Sequence, residues 1–274
     1  MAILLWSLAV LLILFWFLLR PGRFTPQQRA QMQGVNYAHR GLHTKDKTVP
    51  ENSLAAFGAA VQAGYGIELD IQLSHDGQVV VFHDDTLERV CGVQGRVDAF
   101  PLAELQEMRL CGTQQSIPLF TEVLSHMGDA SPLIVELKTG PRRKELCEKA
   151  LPLLRAYKGV FCIESFDPRI VAWFRKNAPE ILRGQLSNRP HSFTGQPWVQ
   201  RVALGNLLAN CLARPQFIAY GPDKKPPLAR FAEAMGALRV CWTVRDTDDS
   251  SRKQAENDAV IFEFYRPQPR YVQE

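Results

Sequence analysis

From residue 34 onward the chain alternates short apolar runs with helical stretches, and this alternation limits the fold more than any other feature. Runs of strand character fall at 35–38, 67–73, 79–83, 133–137, 160–165, 182–186, 217–220, 239–244 and 259–264. Helical stretches fall at 53–63, 102–109, 119–127, 142–157, 168–177, 227–235 and 248–257. Strands that alternate with helices in this way form parallel βα units. The nine strands are one too many for an eight-stranded barrel. The gap at 74–78 resolves the count. A parallel crossover needs about a dozen residues, which this gap does not have, and Asp76-Gly77 is a hairpin turn signal. One arm of that hairpin is then an extra strand at the barrel mouth. The expected fold is a TIM (β/α)8 barrel with a short hairpin excursion. A doubly wound open sheet is the alternative, but no glycine-rich phosphate loop follows the first strand.

Ahead of the barrel, residues 2–19 are apolar apart from Ser7. A helix of that length reaches about 27 Å, close to the ~30 Å hydrocarbon core of a bilayer. A cleavable signal peptide is the competing reading, but no Lys or Arg precedes the run and no small-residue cleavage site follows it. The expected organisation is a transmembrane anchor at 1–20, a polar linker at 21–33 and a barrel domain at 34–274. Arg20, Arg23 and Arg29 follow the run closely, which places the barrel on the cytoplasmic side by the positive-inside rule. The six cysteines show no CxxC pair and no zinc spacing, as expected of thiols in a reducing compartment. A net charge of +4, scattered along the chain, gives no footprint for a nucleic-acid partner.

Several strand ends carry ionisable groups: Ala38-His39-Arg40-Gly41, Glu68-Leu69-Asp70, Phe82-His83-Asp84 and Val135-Glu136-Leu137-Lys138. Residues two apart on a strand share a face, so Glu68 and Asp70 point the same way. Two carboxylates in an apolar run repel and are costly to desolvate. A hard divalent cation, magnesium or calcium, removes both penalties, and Glu136 offers a third oxygen. The alternative is buried ion pairing of these acids with Arg40 and Lys138. His39 and His83 follow apolar runs, where barrel strands deliver site side chains, and imidazole is suited to proton transfer at neutral pH. Arg40 presents a fork suited to phosphate. A divalent ion, an arginine, a lysine and two histidines together describe phosphoryl transfer or hydrolysis. In Pro50-Glu51-Asn52-Ser53 the last two residues read as a helix start, whereas Glu51 stands one residue too early for that role and is a candidate site residue.

Taken in order, the segments HRG, PENSLAAF, ELDIQLSHDG, VVVFHDDTLER, IVELK, SFD and CWTV resemble the glycerophosphodiester phosphodiesterase family, from residue 36 to about 244. The resemblance implies metal-dependent hydrolysis of glycerophosphodiesters to glycerol 3-phosphate and an alcohol on a TIM barrel. It implies His39 and His83 as the acid/base pair, and Glu68, Asp70 and Glu136 as metal ligands. It also implies Arg40 and Lys138 as phosphate contacts, Glu51 near the site, and Trp242 bordering the substrate pocket. A route through a cyclic phosphate, made by the substrate's own hydroxyl, is a further implication.

The sequence departs from the family pattern in three places. Arg245 stands where a neutral amide is usual. The closing stretch Ile261-Phe262-Glu263-Phe264-Tyr265-Arg266-Pro267 lacks the usual small hydroxyl residue and Asp. The segment after His83-Asp84 leaves little room for an inserted subdomain beyond 86–116. A lysophospholipase D-type activity on lysophospholipids is the alternative function, and an inactive lipid-binding barrel is a further one. An apolar groove of Trp173, Phe174, Trp198 and Phe231 would favour the lysophospholipid. Arg142, Arg143 and Lys144 read either as a contact for anionic headgroups or as a solvated helix start.

Overall fold

The computed structural model describes residues 2–271, so residues 1 and 272–274, the outermost ends of the expected anchor and barrel domain, lie outside the described residues. Nine strands form one sheet: β1 (Val35–Ala38), β2 (Gly66–Leu73), β3 (Val79–Val81), β4 (Leu133–Leu137), β5 (Phe161–Ser165), β6 (Arg183–Ser187), β7 (Phe217–Tyr220), β8 (Leu238–Val244) and β9 (Ala259–Phe262). Their order is β1-β9-β8-β7-β6-β5-β4-β2-β3, and β1 also pairs with β2, which closes eight parallel strands into a barrel. β3 is the extra strand, antiparallel to β2 across the Asp76-Gly77 turn, where Gly77 takes the positive φ (76°) such a turn requires.

The helices are α1 (Ala2–Leu19), α2 (Pro26–Met32), α3 (Leu54–Gln62), α4 (Glu88–Cys91), α5 (Leu102–Glu107), α6 (Phe120–Met127), α7 (Arg143–Ala156), α8 (Pro168–Asn177), α9 (Trp198–Gly205), α10 (Asn210–Ala213), α11 (Pro227–Ala234) and α12 (Ser250–Glu256). Alternation along each strand sorts the core into two layers. Ile67, Leu69 and Ile71 of β2 pack with Phe57, Phe120 and Leu146 in the layer between sheet and helices. Tyr37, Ile134, Phe217, Val240 and Ile261 belong to a second cluster inside the barrel. The other side of β2 is thereby left to Glu68 and Asp70.

Three sequence expectations change here. The hairpin excursion is larger than a hairpin, because residues 86–116 fold over a small core of their own, formed by Phe82, Leu87, Val97, Leu105, Leu110 and Ile117. The expected linker contains a helix. Thr25 and Gln28 form a reciprocal capping box at the start of α2, Pro26 occupies its first turn, and Met32 is buried. The third change concerns the anchor. Among the described residues no helix is long and apolar enough to cross a membrane. The last turn of α1 is taken up by docking: Leu19 is fully buried, and Phe15 and Leu18 pack against a cluster that includes Leu207, Ile218 and Ala232. Residues 2–14 that remain rise only about 20 Å, well short of the ~30 Å a span requires. The expected transmembrane helix is therefore not borne out.

Docking fixes α1 at the N-terminal ends of the strands. Gly22 N donates to Pro215 O (2.8 Å), and a Cβ on Gly22 would stand 2.4 Å from Arg214 O. Arg142 pairs with Glu145 (2.7 Å) as the chain enters α7, so that basic cluster is a helix start. Phe174 is buried in the core with Trp173 edge-on against it, so this pair serves packing and not a groove.

Candidate active site

The C-terminal ends of parallel strands present side chains at one rim of the barrel. Asp70 on β2 lies opposite Glu136 on β4, and Glu136 lies opposite Glu164 on β5. Register alone thus sets three carboxylates side by side. Oxygens of Glu68, Asp70 and Glu136 all lie within 4.8 Å of one another, and all three residues are buried. Burial, then repulsion from Asp70 and Glu136, raises the Glu68 carboxyl well above its ordinary range. Burial likewise raises Glu136, against the pull of Lys138. Burial opposes the Asp70 charge too, but Lys138, His83, Arg40 and the Asn52 amide outweigh it and hold that group low. A cluster of oxygens whose charged forms are held back mainly by burial and mutual repulsion fits a hard divalent cation. Glu164 Oε2 is buried near this group without a hydrogen-bond partner.

The two alternatives for the acids coexist in this geometry. Lys138 Nζ lies 2.9 Å from Glu136 and 3.3 Å from Asp70, and Arg40 Nε lies 3.6 Å from Asp70. Arg40 has a left-handed backbone (φ 53°), which turns its N–H onto Glu68 Oε2 at 3.0 Å while its guanidinium reaches Glu51 at 2.6 Å. Asn52 Nδ2 donates to Asp70 Oδ2 at 2.9 Å.

His39 follows β1, with Nδ1 3.4 Å from Glu263 and Nε2 3.9 Å from Glu68. Burial lowers its imidazole to about 4, against the bond to Glu263. His83 follows β3, with Nδ1 2.6 Å from Asp84. Burial opposes the Asp84 charge, but hydrogen bonds from His83 and Arg89 outweigh it and hold that carboxyl well below its usual range. Arg89 also grips Glu51 through two bonds of 2.6 and 2.7 Å. Glu51 is therefore clamped between Arg40 and Arg89. Trp242 on β8 donates to Ala219 O (3.0 Å) and meets Phe166 edge-on at 5.4 Å, while Phe166 meets Phe193 at 6.2 Å.

All nine residues singled out from the sequence thus lie at or near this rim, on or just after strands, with Glu51 brought in by the loop after β1. Sequence reasoning assigned no site role to Asn52, Asp84, Arg89, Glu164, Glu263 or His43. The signal for Glu164 was present, since Cys162-Ile163-Glu164 sets an acid in an apolar strand as Val135-Glu136 does. Two departures from the family pattern prove to be one feature. Arg245 bonds Glu263 (2.8 Å), and Glu263 in turn holds His39 and lies 3.2 Å from His43.

The glycerophosphoryl diester phosphodiesterase family model matches residues 39–266. A glycerophosphodiester phosphodiesterase of Caldanaerobacter subterraneus subsp. tengcongensis is 35% identical over 169 residues, 57% of this chain and 67% of that protein. A glycerophosphodiester phosphodiesterase of Bacillus altitudinis is 31% identical, and the match spans 63% of its length. A lysophospholipase D of Rattus norvegicus is 30% identical over 53% of this chain and 48% of its own length. The chain therefore spans about two thirds or less of these curated relatives. An Oleispira antarctica phosphodiesterase, in complex with the product sn-glycerol-3-phosphate, superposes with a TM-score of 0.68 at 25% identity, covering 85% of this chain and 94% of its own.

Proposed function

The chain belongs to the glycerophosphoryl diester phosphodiesterase family, and from that membership we propose that it hydrolyses glycerophosphodiesters to sn-glycerol 3-phosphate and an alcohol. The observation that carries this reading is the convergence of Glu68, Asp70 and Glu136 within 4.8 Å at a rim that also holds Arg40, Lys138 and two histidines. Glu68, Asp70 and Glu136 would hold one divalent cation, magnesium or calcium, which when bound supplies charge neutralisation at the phosphate oxygens. Arg40 and Lys138 bind and orient the phosphodiester through charge-assisted hydrogen bonds. Trp242, held edge-on to Phe166, would border the bound substrate.

The two histidines divide the proton work. His39, kept neutral by burial, accepts a proton from the substrate's own glycerol hydroxyl as that oxygen attacks phosphorus and the alcohol leaves; water then opens the cyclic phosphate, and His39 returns the proton to the departing glycerol oxygen. His83, whose Nδ1 lies 2.6 Å from the Asp84 carboxylate that orients it, donates to the departing alkoxide and takes a proton back from the attacking water. Glu51, fixed by Arg40 and Arg89, positions Arg40.

We place the protein at a membrane surface on the cytoplasmic side, with α1 inserted in one leaflet and not across both. Leu5, Trp6, Val10, Leu11, Leu12 and Ile13 are exposed on that helix, and the arginines that follow it suit the anionic leaflet. A lysophospholipid substrate is the second reading, suggested by the rat relative. Against it, α1 docks at the rim opposite the active site, which turns the site toward water-soluble diesters.

The test supplies full-length protein and a divalent ion with glycerophosphocholine, glycerophosphoethanolamine, glycerophosphoglycerol and a lysophospholipid, and detects glycerol 3-phosphate, lysophosphatidic acid and free alcohol. Glycerol 3-phosphate release is expected from a soluble diester. His39→Ala and His83→Ala should each lower turnover by about 100-fold or more with little change in thermal stability. Near-normal turnover in both variants overturns the acid/base roles, and release from the lysophospholipid alone moves the substrate into the membrane.

A further inference from the structure

A cavity of about 720 Å³ opens at the N-terminal ends of β6, β7 and β8, beside the docked end of α1. Arg20, Arg23, Arg175, Arg183 and Arg214 line it together with Trp16. Among the described residues none of these arginines forms an ion pair with an acid. Four of them are held by neutral groups instead. Arg214 Nη1 donates to Phe17 O (2.6 Å) and Arg20 O (3.0 Å), with its guanidinium stacked over Phe17. Arg175 donates to Leu212 O (3.0 Å), and Arg20 stacks over Trp16 at 4.7 Å. Arg183 donates through Nη1 to Gln216 Oε1 (3.1 Å), yet its buried Nε has no hydrogen-bond partner. Arg183 and Arg214 are each only 6% exposed.

Burying like charges together without a counter-charge is costly, and a chain that keeps such an arrangement has a use for an anion. Burial and the neighbouring Arg175 push the Arg183 guanidinium down to about 10, as expected of a cation short of partners. The planar forks and free N–H groups match the oxygens of a phosphate group. Two features choose between a dissolved phosphate and a lipid one. Trp16 belongs both to the cavity wall and to the exposed apolar helix, and that helix offers apolar side chains beside acyl chains. A phosphate attached to acyl chains satisfies both surfaces at once.

We propose that this arginine cavity binds the phosphate headgroup of an anionic phospholipid, so that α1 and the cavity together form a lipid-selective foot on the barrel. The inference rests on the membrane attachment proposed above and is independent of the catalytic reading.

The test is co-sedimentation of the full-length protein with vesicles of phosphatidylcholine alone, or of phosphatidylcholine with phosphatidylglycerol. Binding to the anionic vesicles should be at least about tenfold tighter. Arg20→Gln combined with Arg175→Gln, both exposed positions, should remove that preference while leaving phosphatidylcholine binding and diester hydrolysis as in the parent. Arg183→Gln, checked for folding by its thermal midpoint, should do the same. Equal binding of the parent to both vesicles overturns the headgroup assignment alone. Binding to neither overturns the membrane reading with it. A thermal midpoint raised by inorganic phosphate through Arg183, without any vesicle preference, overturns the lipid in favour of a soluble phosphate.

Discussion

At the C-terminal rim, the carboxylates of Glu68, Asp70, Glu136 and Glu164 crowd together and are met by Arg40 and Lys138. At the N-terminal rim, five arginines crowd together and meet no acid among the described residues. Both clusters are held partly out of water. The first meets part of its counter-charge within the chain, in Arg40 and Lys138, and leaves the rest to the proposed divalent cation. In the second, four of the guanidinium groups are stacked on aromatic rings or bonded to carbonyls, which hold them in place without neutralising them. The contrast teaches that a buried charge network used for chemistry and one used for capture are separable by asking where the counter-charge comes from.

Removing metal should have the largest effect on this contrast. Excess chelator should abolish diester hydrolysis, and added magnesium or calcium should restore it, because Glu68 and Glu136 lack enough cationic partners of their own. Full activity in excess chelator would mean that Arg40 and Lys138 alone supply the counter-charge at that rim.

Deleting one cation from each rim compares them directly. Arg40→Met leaves Glu51 and Asp70 short of a partner and should cost about 3–5 kcal/mol in chemical denaturation. Arg183→Met removes an unpaired charge and should stay within about 1 kcal/mol of the parent. Equal losses would mean that the two rims are built alike.

A smaller effect concerns Arg245 and Glu263. A double-mutant cycle with Arg245→Asn and Glu263→Gln should show about 1 kcal/mol of coupling in unfolding free energy. Additive losses would show that the pair is only a surface contact.

Acid probes the Glu51 clamp on its own. Burial opposes the Glu51 charge, but Arg89 and Arg40 outweigh it and lower that carboxyl from 4.5 to about 2. Its contribution is therefore fully present above pH 4.5 and is lost as the pH falls through 2. The stability gap between the parent and Glu51→Gln should narrow across that window. The arginines of the other rim stay charged throughout it, so variants there should keep a constant gap. A gap for Glu51→Gln that does not change with pH would show that the ionised form has no special partner.

Much of this was legible in the sequence because the informative residues break a local pattern. Glu68, Asp70 and Glu136 are acids inside apolar strands, and the gap at 74–78 is too short for a crossover, so the carboxylate cluster and the strand count both follow from neighbours along the chain. What escaped depends on distant partners. Arg245 and Glu263 each look like an isolated oddity until folding sets them 2.8 Å apart. Arg89 gives no hint in sequence of the clamp it forms on Glu51. A transmembrane helix was expected because composition does not reveal that Leu18 and Leu19 pack against the barrel. Helix α9 went unread because Trp198 and Val199 are exposed and its buried face is slight.

The register between β2, β4 and β5 has one more consequence. Asp70, Glu136 and Glu164 share a height because backbone hydrogen bonds count residues in whole steps. A slip of one step on β4 would swing Glu136 into the helix layer and bring Leu137 inward. The oxygen cluster therefore has no nearly correct version: it is assembled in full or absent, and insertions within these strands act as a binary error where insertions in the loops act as a graded one.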